Sequence, residues 1–230
     1  DVCSSDLFDY TEFLAQDYDD IRMPVNALRA KYTWHSVTFE AICNPVADFF
    51  ILPTDRRNPW ALTLPSAPLP YTIDLESGKP EKRLRNMEYG GRITTNLSGI
   101  DFSLSALRTW NKTPALSLAV SDDGKSLLAK GEYRRMTMLG ADCSLPVGQI
   151  VLRGEAACYF DEAQSRGVGK DVVCRNTYNI LAGVDWYPGN DWNFSAQYCH
   201  KYTAGNLDGL SVYRNAGLAT ARISKELLRN

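Results

Sequence analysis

The sequence predicts an all-β fold: an antiparallel transmembrane β-barrel with short turns at one end and long loops at the other. Three observations predict it. Segments of roughly ten residues alternate apolar and polar positions, the period of a strand with one face in an apolar medium and one in water. The connections between these segments are alternately short and long. A set of aromatic residues flanks the connections at both ends of the segments.

The first pair of strands comes from Leu28, Ala30, Tyr32 and Trp34 against Arg29, Lys31 and Thr33, then Val37, Phe39, Ala41 and Cys43 against Thr38 and Glu40, with Ile42 out of phase. The second places Tyr89, Gly91, Ile93 and Leu97 against Glu88, Arg92, Thr94 and Asn96, then Ile100, Phe102, Leu104 and Ala106 against Asp101, Ser103 and Ser105. Only Leu107 breaks that phase. The segment 132–143 is ambiguous, because Met136 and Met138 share a face with Arg134 and Asp142. The segment 149–160 sets Ile150, Leu152, Ala156, Cys158 and Phe160 against Arg153 and Glu155, beside Val151 and Ala157. The last pair sets Tyr178, Ile180, Ala182, Val184 and Trp186 against Asn179, Leu181, Gly183 and Asp185, then Trp192, Phe194, Ala196 and Tyr198 against Asn193, Ser195 and Gln197. Residues 8–230 thus hold roughly nine strands of a partial barrel domain.

Short connections fall at His35-Ser36, Ser98-Gly99, Ser144–Gly148 and Pro188-Gly189-Asn190. Long polar ones fall near 53–85, 111–126, 161–175 and 204–214. The 53–85 stretch carries Pro53, Pro59, Pro65, Pro68, Pro70 and Pro80 and is far longer than an ordinary loop. Short periplasmic turns and long outer loops are the habit of outer-membrane barrels. The motif Gly-x-Asp-x recurs at Gly99, Gly140 and Gly183, so one hairpin is the repeating unit. The expected aromatic girdle is Trp34, Trp186 and Trp192 beside short turns, and Trp110, Tyr133, Tyr159, Tyr178 and Tyr202 beside long loops.

The chain has 230 residues, with Lys+Arg 25 against Asp+Glu 27, a formal charge of −2 and 44% hydrophobic residues. This balance gives no general attraction to nucleic acid. No apolar run approaches the roughly 20 residues of a membrane-spanning helix, which leaves spanning strands open.

Candidate site residues are the polar strand positions Glu88, Arg92, Asp101, Arg153, Glu155, Asp185, Asn193, Gln197 and Lys201, expected to line the lumen. Ionised groups face lipid only at high cost, so they line water and set selectivity, or pair with one another and hold a plugged barrel together. The acidic stretch Asp9, Glu12, Asp17, Asp19, Asp20 is either an inward constriction or a solvated loop. Chemistry of the catalytic kind is not expected. His35 and His200 are the only histidines, no zinc-type spacing occurs, and Ser195 and His200 have opposite strand parity. Neither metal nor cofactor is called for. Cys158 and Cys174 flank one long loop and can close it with a disulfide, whereas Cys43, Cys143 and Cys158 on apolar faces serve as small hydrophobes.

Several stretches carry a family resemblance: Asp9-Tyr10-Thr11-Glu12-Phe13-Leu14, residues 19–28, Leu152-Arg153-Gly154-Glu155-Ala156-Ala157, and residues 183–192 with Gly183-Val184-Asp185-Trp186 and Gly189-Asn190-Asp191-Trp192. They resemble uncharacterised porin-like outer-membrane β-barrel proteins of Gram-negative bacteria, a domain of unknown function. The resemblance implies outer-membrane lipid and small hydrophilic solutes as partners, is compatible with a homo-oligomer, and supplies no catalytic residue. It also implies a signal peptide and further strands beyond both ends, so a domain truncated at both ends is expected. Asp1-Val2-Cys3-Ser4-Ser5-Asp6-Leu7 resembles a translated sequencing adapter, so residues 1–7 are expected to be non-native. The implied function is passive passage of small solutes through a charged lumen. The competing class is a non-conducting barrel that anchors a binding surface on its long Pro-rich loop.

Overall fold

A computed structural model describes residues 7–11, 21–64 and 69–225. They form fourteen strands and one 3-10 turn, Leu84–Asn86. In chain order the strands are β1 (Leu7–Phe8), β2 (Arg22–Met23), β3 (Leu28–Trp34), β4 (Val37–Asn44), β5 (Tyr71–Asp74), β6 (Glu88–Leu97), β7 (Ile100–Trp110), β8 (Ala115–Val120), β9 (Leu127–Glu132), β10 (Arg135–Val147), β11 (Ile150–Gln164), β12 (Val173–Gly189), β13 (Trp192–Thr203) and β14 (Asn215–Lys225).

Nine of them make one antiparallel sheet in the order β14-β13-β12-β11-β10-β7-β6-β4-β3. Each strand pairs with its predecessor in the meander, as hairpin geometry demands. Among the described residues the sheet is open: β3 pairs only with β4, and β14 only with β13. The predicted antiparallel all-β class is what the chain adopts. No closed barrel forms among the described residues.

The short connections all lie at one end. Ser98 and Gly99 both have positive φ, at 52° and 88°, which a tight two-residue hairpin turn requires. The β10–β11 turn is shorter than predicted, because β10 runs through Pro146 and Val147 to a turn at Gly148-Gln149. Cross-strand pairing of Leu145 with Leu152 and of Val147 with Ile150 extends the ladder over those residues.

The opposite end departs most from the expectation. The stretches 53–85 and 111–126 are not plain loops. They contribute β5 and β8, which join β9, directly after the second stretch, in a three-stranded sheet of order β5-β9-β8, with β5 parallel to β9. Leu75, Leu127 and Ala129 are buried in it, and Phe49 meets Tyr133 with ring centroids 4.4 Å apart. The 76–79 bend approaches β9 so closely that a Cβ on Gly78 would lie 1.8 Å from the Gly131 carbonyl oxygen. Sequence pattern missed this sheet because its strands are short and its polar positions face loops, not one solvent.

Two further features of the main sheet were not anticipated, a longer β11–β12 hairpin and the strand β14. The hairpin β11–β12 continues to Gln164 and Val173, into the stretch expected to be a loop. It does so through a bulge between Tyr159 and Glu162, where Asp161 has φ 65°. β14 reads Asn-Ala-Gly-Leu-Ala-Thr-Ala-Arg-Ile and lacks alternation of large residues, so only its register against β13 reveals it. The bridge that Cys158 and Cys174 could make is not formed. Cys158 lies opposite Tyr178 and Cys174 opposite Ala163, and both are free thiols.

Candidate functional site

Register assigns every main-sheet side chain to one of two faces. Leu28, Phe39, Ile93, Leu104, Leu139, Leu152, Ile180 and Ile223 fall on one of them. These side chains are exposed, Leu28 at 73%, Ile180 at 57% and Ile223 at 65%. All nine residues proposed as lumen lining share the other face: Glu88, Arg92, Asp101, Arg153, Glu155, Asp185, Asn193, Gln197 and Lys201.

On that polar face the charges pair sideways along the sheet. Arg29 on β3 bonds Glu40 on β4 at 2.5 Å. Arg92 on β6 reaches over β7 to Asp142 on β10 at 3.0 Å. The Ser103 hydroxyl between them accepts from Arg92 Nε at 3.0 Å and donates to Asp142. Arg153 on β11 meets Asp185 on β12 at 2.6 Å, and Ser195 on β13 donates to the same carboxylate at 2.6 Å. Lys201 on β13 reaches Glu162 on β11 at 3.1 Å, with the Thr177 hydroxyl of β12 donating to that carboxylate at 2.5 Å. The pattern is a base, an acid and a hydroxyl repeated across the sheet. The Gly-x-Asp repeat supplies two of the acids, Asp142 and Asp185. The third, Asp101, accepts from Asn96 Nδ2 at 2.8 Å.

A cleft of about 300 Å³ follows this face, lined by Glu40, Arg92, Met138, Asp142, Arg153 and Glu155. Its charged groups are half exposed, so each exposed pair contributes at most about 1 kcal/mol. Their chief effect is a fixed, wettable surface of alternating sign. Met136 and Met138, ambiguous in sequence, are buried on this polar face at the long-loop end.

Glu88 differs from the other polar-face positions. It is 5% exposed and is enclosed at the long-loop end. It accepts from Lys112 Nζ at 2.5 Å, Asn44 Nδ2 at 3.2 Å, the Trp110 amide at 3.3 Å and the Thr109 hydroxyl. Lys112 also donates to the Asp48 carbonyl at 2.9 Å. Burial lowers the pKa of Lys112, and the Glu88 carboxylate opposes that shift. The cluster ties the ends of β4, β6 and β7 to the segment that leads into the small sheet.

The aromatic residues divide. Trp34, Trp110, Tyr178, Trp186, Trp192 and Tyr202 have the parity of the apolar face. Trp186 and Trp192 flank Phe194 with centroids 5.2 and 5.7 Å away. Tyr133 and Tyr159 do not belong to a girdle. Tyr133 is buried under Phe49 outside the sheet, and burial pushes its pKa up to about 12. Tyr159 has the parity of the polar face. Proximity to a long loop placed both in the expected girdle, but the first is buried against Phe49 and strand parity puts the second on the polar face.

Ser195 and His200 lie on opposite faces. Ser195 bonds Asp185, whereas His200 is 3.1 Å from the Tyr198 hydroxyl and 3.2 Å from Asn215 Oδ1. Residues missed by sequence reasoning are Glu40, Asp142, Ser103, Thr177 and Glu162. Glu40 and Ser103 were visible as polar-face positions; Asp142 lay in the ambiguous segment, Thr177 just before the predicted strand, and Glu162 was hidden by the bulge that resets its parity. Of the acidic stretch, Asp9 forms a bridge to Ile51, while Glu12, Asp17, Asp19 and Asp20 lie outside the described residues, as do residues 1–6. Comparison with family models, curated proteins and solved structures returns no match for this chain.

Proposed function

We propose that the nine-stranded sheet is part of the wall of an outer-membrane β-barrel through which small hydrophilic solutes pass passively. The observation that supports it best is the division of the sheet into two faces. One carries exposed large apolar side chains on strands from β3 to β14; the other carries ion pairs and hydroxyls. An uncovered apolar face of this breadth is a liability in water and a requirement in lipid. The main-sheet strands β6, β7 and β10–β14 run ten residues or more, enough to cross a bilayer when tilted. The family resemblance of the turn motifs points the same way.

Solutes would meet a water-filled path edged by paired charges rather than a single-sign ring. Selectivity among small ions is then weak, and it depends on salt through screening. Reconstitution in planar bilayers tests this. Steady ohmic current steps, with little preference between potassium and chloride, are the expected outcome. Silence favours the second reading, a non-conducting barrel that carries a binding surface. The observation behind that alternative is the small β5-β9-β8 sheet, built from the long connections at one end of the wall.

A further inference from the structure

The connections at the long-loop end cover one side of the wall only. Glu88, Thr109, Met136, Met138, Thr177 and Thr203 belong to the polar face there, and all six are buried. Apolar-face residues at the same level are open: Tyr89 is 49% exposed, Leu139 45% and Tyr202 38%. At the short-turn end the polar face is open too, with Asn96, Asp101 and Arg153 exposed. Curvature of the sheet would shield the polar face along its whole length. Burial confined to one end of one face means that other parts of the chain lie over it.

Three sets of contacts identify those parts. Val25 and Ala27, just before β3, line a small cavity with Asn44, Glu88 and Thr109. Lys112 joins Glu88 to the Asp48 carbonyl and stands 5.7 Å from the centre of the Phe49 ring, which holds the connection after β4 against the polar side. Further along the sheet, Phe50, Pro114 and Ser211 face Met136, Tyr159 and Asn179 across a cleft of about 490 Å³. The covering segments also brace one another. The Phe50 ring packs on Phe8 and Tyr10 with centroids 5.5 Å away, and its amide donates to the Lys112 carbonyl at 3.2 Å. Asn111 Oδ1 accepts from the Ala163 amide at 3.1 Å, and the Leu116 amide donates to Ser165 Oγ at 2.7 Å. Connections after β4, β7 and β11 are thereby interlocked, as in one body rather than separate loops.

We propose that these connections form a cap on the polar side of the wall and that the cleft between cap and wall is the constriction through which solutes pass. The function of the cap rests on the pore reading, because the polar side encloses a path only in a closed barrel. Its seat on that side does not. The charges nearest the cleft are already compensated, Lys112 by Glu88 and Glu162 by Lys201. Phe50, Pro114 and Ser211 on the cap side are neutral. The constriction therefore limits size without favouring either sign of charge. Ser211, exposed and neutral on the cap side of the cleft, is the specificity-determining position: a charge placed there acts on ions at the narrowest part of the path.

Two measurements on the full chain test seat and function separately, with circular dichroism to check that each variant is folded. The first uses a background with the native cysteines replaced. A short bismaleimide should bridge Ser211→Cys to Tyr159→Cys on the polar face, and should not bridge Ser211→Cys to Leu139→Cys, which lies at the same level on the apolar face. Bridging to Leu139→Cys, or to neither, overturns the seat of the cap and with it the proposal. The second is the potassium-to-chloride permeability ratio in planar bilayers. Ser211→Arg should lower it about threefold and Ser211→Asp raise it about threefold, whereas Gln197→Arg, on the open polar face, should change it far less. Conducting channels whose ratio is unmoved by both Ser211 variants, or moved as much by Gln197→Arg, overturn the constriction while the pore reading stands. Silence in the bilayer from a chain that cross-links as expected overturns the pore reading, and the constriction falls with it.

Discussion

Ile180→Arg is expected to destabilise the lipid-embedded chain by about 2–4 kcal/mol, measured as the shift in urea unfolding in vesicles. Ile180 lies mid-strand in β12, opposite Ala156 and His200, on the apolar face and 57% exposed. In a bilayer that exposure is to hydrocarbon, and a guanidinium there loses its hydration. In water the same exposure makes the substitution nearly neutral, within about 0.5 kcal/mol. The matched control is Gln197→Arg. Gln197 pairs with Gly183 and Thr220 on the polar face, so an added cation there stays in water and should cost little. A large cost for the first and a small cost for the second is the signature of a sheet with lipid on one side only. Equal, small effects would place both faces in water.

The second large effect is expected at the long-loop end. Lys112→Met should lower stability by about 3–5 kcal/mol, because it strips the cation from a carboxylate that is 5% exposed. The Asn44, Thr109 and Trp110 donors remain, but none brings a charge. Adding Glu88→Gln to Lys112→Met should recover most of the loss, since the site then holds a neutral amide among hydrogen-bond donors. The comparison is made by denaturant unfolding of both variants. If Lys112→Met alone is neutral, water reaches Glu88 and the cluster is not the tie between wall and connections inferred above. Arg29→Met is the contrasting case: its own side chain is exposed and its partner Glu40 partly so, and the change should leave the unfolding midpoint almost unmoved.

What the sequence disclosed follows from what a period of two can encode. Strands with one apolar and one polar face announce themselves, as in β6, β7, β12 and β13, and their register places all nine predicted polar positions on one face. The ambiguity of β10 came from Met136 and Met138, apolar residues on the polar face. It was settled by three-dimensional context, since both are buried on that face near the long connections. β14 stayed hidden because Ala and Gly carry almost no hydropathy contrast. The small sheet was unreadable for a different reason. β5 pairs in parallel with β9, a contact such as Tyr71 with Leu127, 56 positions apart, that local pattern cannot carry. Within the site, the acids and bases were legible one by one. Their pairing was not, because Arg92–Asp142 and Lys201–Glu162 each skip a strand, and the second also depends on a bulge. The charged groups pair sideways along the sheet and line its polar face.

The most direct measurement of the central claim is a cysteine scan along β12 from Tyr178 to Trp186, on a background with the native cysteines replaced. Each site carries a nitroxide, and its collisions with oxygen and with a water-soluble nickel chelate are compared in lipid vesicles. The account predicts strict alternation: oxygen dominates at 178, 180, 182, 184 and 186, and the nickel chelate dominates at 179, 181, 183 and 185. Nickel accessibility at Ile180 and Val184 equal to that at Leu181 and Gly183 would contradict it.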